Sequence, residues 1–142
     1  MNIGSICWPS DARAATAHYL RFIVDLVVKL KVNFPEELPD PVATADSYAA
    51  GRMSEAEYRT SADRWWAYLD SIDPSGCEMG DVSALRARLG LCLLSANLEE
   101  ASRLGEHLSW FLELLGLLGV DLDGPFKKME SYFAADHDPE VK

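Results

Sequence analysis

The side chains best suited to catalysis or metal binding are few in this sequence, and their spacing points away from both. The three histidines, His18, His107 and His137, stand far apart. Glu106-His107 is adjacent rather than arranged as H-E-x-x-H, and no second histidine follows within three to five positions to complete a zinc pair. His18 and His107 read as polar positions on helix flanks, and His137 belongs to a polar tail. Cys7, Cys77 and Cys92 are an odd set without C-x-x-C spacing, which suits a reducing compartment and argues against a disulfide scaffold. Cys77, within Ser75-Gly76-Cys77, is the thiol a loop could offer to a base, but no histidine in recognisable context accompanies it. Cys92 sits among leucines and is expected in the core. Asp70 and Asp73 have the chemistry of a carboxylate pair, although solvated loop acids are the commoner case. Asp121-Leu122-Asp123-Gly124 has the look of an opening calcium loop, yet its glycine comes two positions early and Tyr132 stands where the bidentate glutamate belongs. No G-x-S-x-G, G-x-x-x-x-G-K-[ST] or G-x-G-x-x-G occurs. We therefore expect binding rather than turnover, with no enzyme activity, no cofactor and no metal; a small enzyme using Cys77 or paired carboxylates ranks third among the function classes.

The elements that would position a binding surface read as helices. Asp11 can cap a helix whose charged positions Arg21, Asp25 and Lys29 form a ladder at four-residue spacing, while nearly everything else from Tyr19 to Leu30 is apolar. So wide an apolar arc predicts a helix packed from several sides, ending before Phe34-Pro35. Asp40-Pro41 places a cap before proline at the first helical position, and Gly51 offers a stop. Ser54 and Glu57 have capping-box spacing, with Met53 and Tyr58 placed as a hydrophobic staple. The stripe Tyr58, Ala62, Trp65, Trp66, Leu69, Ile72 then runs to Asp73-Pro74. Asp81 can cap a fourth helix with Leu85, Leu89, Cys92 and Leu93 on one face; Asn97 ends it and, with Glu100, caps a fifth that runs to Gly119. Asp123-Gly124-Pro125 starts a last helix, Phe126 to about Ala134. No segment alternates in the manner of a strand, so the expectation is an all-α, compact bundle of five to six helices. It is read as a single domain over residues 1–142, with flexible ends at 1–9 and 135–142. If the fourth and fifth helices form an antiparallel hairpin, Gly90 and Gly105 meet at one level and let them approach closely.

Forty-nine per cent of the 142 residues are hydrophobic and 25% are charged, the profile of one folded domain rather than a disordered tail. Thirteen Lys and Arg against 23 Asp and Glu leave a net charge of −10, the wrong sign for a general nucleic-acid binder. The charge is uneven. Residues 1–34 hold Arg13, Arg21, Lys29 and Lys31 against only Asp11 and Asp25, so the acidity lies beyond them: in Glu36, Glu37, Asp40 and Asp46, in Asp70, Asp73, Glu78 and Asp81 around one predicted loop, and in a third stretch after Val120. The most apolar stretch, Leu108 to Leu122, is interrupted by Glu113, Gly116, Gly119 and Asp121 and falls short of the roughly 20 apolar residues a bilayer span needs. No membrane partner is expected. The first residues lack the basic lead and apolar run of a secretory signal, and a cytoplasmic location is expected.

Trp65-Trp66 is the most unusual local feature. Adjacent helical positions point about 100° apart, so one indole can be deep and its neighbour at the rim. The rim tryptophan, read as Trp66, would stand beside Asp70, Asp73, Glu78 and Asp81, an aromatic anchor with acid around it suited to a basic protein surface. The segments Ala62-Asp63-Arg64-Trp65-Trp66-Ala67-Tyr68-Leu69-Asp70, Leu85-Arg86-Ala87-Arg88-Leu89 and Leu108-Ser109-Trp110-Phe111-Leu112-Glu113-Leu114-Leu115 resemble small all-helical immunity proteins of bacterial polymorphic toxin systems, over residues 50 to 135. The resemblance implies a cytoplasmic protein that binds one cognate toxin and blocks it without chemistry of its own; it assigns no individual residue. A helical adapter or homodimer joined through Leu98 to Leu118 is the second expectation.

Overall fold

Helix caps set the frame of the chain. The computed structural model describes residues 3, 6–73, 81–96 and 103–134, and over these the chain forms six helices and no strand. α1 (Ala12–Lys29) starts where the Asp11 carboxylate accepts from the amide of Ala14 at 3.0 Å. α2 (Pro41–Ala49) starts on Asp40, which accepts from Val42, and is followed by Gly51 at φ +78°, the left-handed region glycine favours. α3 (Glu55–Ile72) carries the full capping box: the Glu57 amide donates to Ser54 Oγ at 3.1 Å, and the Ser54 amide donates back to Glu57 Oε1 at 3.4 Å. α4 (Val82–Leu94) is capped by Asp81, and α5 (Leu104–Leu117) is followed by Gly119 at φ +89° before α6 (Asp123–Tyr132). The expected cap at Asn97 with Glu100 lies outside the described residues.

Burial follows the breadth of each apolar arc. α1 buries Ala15, Tyr19, Leu20, Phe22, Ile23 and Leu26 and packs against α2, α4, α5 and α6, as its wide arc predicts. Its charge ladder is only half formed. Asp25 pairs with Lys29 and with Lys128 of α6, both at 3.1 Å, whereas Arg21 reaches the carbonyl of Ala49 at the end of α2. α4 is buried more widely than the single face expected: Ala84, Ala87, Leu91 and Leu94 join Leu85, Leu89 and Leu93, because α1, α2, α3 and α5 all pack on it. Tyr58 of α3 ties down its end, donating to the carbonyl of Leu93 at 2.6 Å and accepting from the amide of Ala96 at 3.2 Å.

The glycine expectation is corrected by a different neighbour. A Cβ on Gly90 would lie 2.6 Å from Trp65 Cζ3, so the space this glycine opens is filled by an α3 indole. A Cβ on Gly105 would instead lie 3.6 Å from Ile3 Cγ2. In the segment read as a flexible end, Ile6 is buried and Trp8 packs edge-on against Phe133 with ring centroids 5.3 Å apart. The tail 135–142 lies outside the described residues.

Candidate functional site

α3 sends its adjacent tryptophans in different directions. Trp65 is fully buried, its indole N–H donating to the carbonyl of Pro39 at 3.0 Å, and its ring meets Phe34 edge-on. Trp66, rotated by about 100°, is 49% exposed. Across from it, α5 presents Trp110, 39% exposed. The two rings line a cleft of about 250 Å³ whose walls include Leu69, Leu91, Cys92 and His107. The same register surrounds both tryptophans with acid. Asp63 and Asp70 lie three positions before and four after Trp66; Glu106 and Glu113 lie four before and three after Trp110; all four are exposed.

The acids singled out from sequence fare differently. Asp70 is exposed on the last turns of α3, close in register to Trp66. Asp81 is exposed but engaged as the α4 cap, accepting from the Ser83 amide at 3.3 Å. Asp73 is a correction: it is buried, its carboxylate fully enclosed and paired with the Arg88 guanidinium, so it belongs to the interior and not to a contact surface. Glu78 lies outside the described residues, as does Cys77. In the sequence Trp110 stands within the Leu108–Leu115 segment without being singled out. The signal that marks it is an aromatic flanked by carboxylates at helical spacing, which Trp66 shares.

The cleft floor is chemically quiet. Burial pushes the Cys92 thiol up to about 12, so little reactive thiolate forms near neutral pH. Burial also lowers His107 below its ordinary value, favouring the neutral imidazole. Arg88 Nη1 and Ser95 Oγ are buried without a hydrogen-bond partner beside the same cleft. We expect iodoacetamide at pH 8 to label exposed Cys7 while Cys92 reacts only after denaturation, as read by peptide mass; rapid native labelling of Cys92 would contradict this burial.

The Asp121 carboxylate accepts from the Asp123 amide at 3.1 Å, a local turn that leads into α6. Among the described residues no group of three His, Cys, Asp or Glu side chains is placed to hold a metal ion, and no helix is long and apolar enough to cross a membrane. His18 packs face to face with Tyr132, whose hydroxyl donates to the His18 carbonyl at 2.9 Å, joining α1 to α6. Comparison with protein-family models, curated proteins and solved structures finds no match to the chain in any of the three.

Proposed function

We propose that this chain is a non-catalytic, cytoplasmic immunity protein that neutralises a basic bacterial toxin by one-to-one binding. The observation that carries the reading is the pair of half-exposed tryptophans, Trp66 and Trp110, facing a common cleft among exposed carboxylates. Aromatic side chains dominate interface hot spots. Surrounding acid complements a cationic partner, raises its association rate and makes that rate sensitive to salt. The net charge of −10 acts in the same direction. A helical adapter or homodimer joined through α5 is the second reading, favoured by exposed Leu117 on the same helix as Trp110.

The test is to examine the adjacent reading frame and to co-express the chain with any basic domain that it encodes. Protection of the host, a one-to-one complex in light scattering and an association rate falling about tenfold or more as salt rises from low to high ionic strength are expected. Absence of both protection and complex would overturn the reading.

A further inference from the structure

We infer that the cleft between Trp66 and Trp110 is a socket for one large apolar side chain carried on a positively charged segment of a protein partner. This rests on reading the chain as a protein-binding protein and specifies what the partner must present. Size is the first argument. A cavity of roughly 150 Å³ accommodates benzene, so a cleft of about 250 Å³ suits a single leucine- to tryptophan-sized group and is too small for a helix. It also falls below the roughly 300–1,000 Å³ usual for small-molecule pockets.

Charge decides what surrounds that group. Asp63, Asp70, Glu106 and Glu113 flank the two tryptophans, and none of them is engaged in an ion pair among the described residues. Of the basic residues nearby, Arg59 is held by Glu55 at 2.7 Å and Arg88 by Asp73. The rim therefore favours lysine or arginine on the incoming segment. The floor refuses them. Arg88 lines the cleft and already has one buried nitrogen without an acceptor, so a second donor-only cation inserted there would be desolvated with nothing to accept its hydrogen bonds. The apolar side chain enters and its basic neighbours stay at the rim.

The probes are three acetylated, amidated peptides: Lys-Lys-Phe-Lys-Lys, the same peptide with Ala for Phe, and the same peptide with Glu for every Lys. Binding is followed by the indole N–H resonances, with the Trp65 signal as an internal control because its N–H is held by Pro39. The first peptide should shift the Trp66 and Trp110 signals saturably, and each of the other two should bind about tenfold or more weakly. Unmoved Trp66 and Trp110 signals, or equal response to all three, would overturn the socket. In the complex with the basic domain, Trp110→Ala should weaken affinity about 30-fold or more. A complex indifferent to Trp110→Ala overturns the socket and leaves the immunity reading standing. A wild-type chain that gives no protection overturns the immunity reading while the peptides still judge the cleft. A wild-type homodimer that Trp110→Ala converts to monomer would show the occupant to be a second copy, and the proposal would fall.

Discussion

Replacing Asp73 with alanine is expected to lower the unfolding free energy by about 3–5 kcal/mol, because it leaves a nearly buried guanidinium without its counter-charge. The Asp73 carboxylate has no exposed surface and Arg88 keeps only 12% of its side-chain surface, so water cannot replace the lost partner. One nitrogen of Arg88 already lacks a hydrogen bond, which deepens the loss. Asp70→Ala, three residues earlier but exposed, should stay within about 0.5 kcal/mol of wild type. Urea unfolding of both variants measures the contrast. The double variant Asp73→Ala/Arg88→Met should regain much of the loss, since an apolar replacement for a buried ion pair removes the desolvation cost along with the attraction. An Asp73→Ala protein within about 1 kcal/mol of wild type would mean that the pair is solvated. The result bears on function. Reversing the charge of Asp70, Asp73, Glu78 and Asp81 together would confound unfolding with loss of binding, and a clean test of the acidic surface uses Asp63, Asp70, Glu106 and Glu113.

What could be read from sequence is what depends on neighbours within a turn or two. Asp11, Asp40-Pro41 and the Ser54–Glu57 box start helices where their chemistry predicts, because a cap satisfies amides two or three residues away. The wide arc of α1 announced a helix packed from several sides. Tertiary partners are a different matter. Asp73 looks like a solvated loop acid until Arg88 of the next helix is placed beside it. Gly90 is open to any close neighbour, and sequence spacing alone matched it to Gly105 when Trp65 fills the space. Cys92 was legible as a core thiol from its leucine surroundings, but its place in the wall of a cleft depends on α3 and α5 both packing on α4. The partnership of Trp66 with Trp110 has the same origin. Each half is visible as an aromatic flanked by acids at helical spacing, and only the fold brings the halves together.

Trp65→Ala and Trp66→Ala should fail in opposite ways. Removing Trp65 empties a fully buried volume and deletes the hydrogen bond to Pro39, and is expected to cost about 3–5 kcal/mol. That is a large part of the roughly 5–15 kcal/mol that holds a domain together. Crowding the same contact tests it from the other side. Gly90→Ala gains about 1 kcal/mol of helix propensity, but its Cβ would sit 2.6 Å from the indole, so the net effect is expected to be a loss of about 1–2 kcal/mol. Trp66→Ala removes a ring already half in water and should change stability by less than about 1 kcal/mol, while weakening partner binding by about 2 kcal/mol or more. Thermal unfolding and titration with the basic domain separate the two effects. If Trp66→Ala destabilised the chain as much as Trp65→Ala, its exposure would be structural cover and not a contact. If Gly90→Ala left the midpoint unchanged, the Trp65 ring would have room to shift away from the added Cβ. Because one residue step turns the helix through about 100°, the same side-chain type can hold the fold at one position and face a partner at the next.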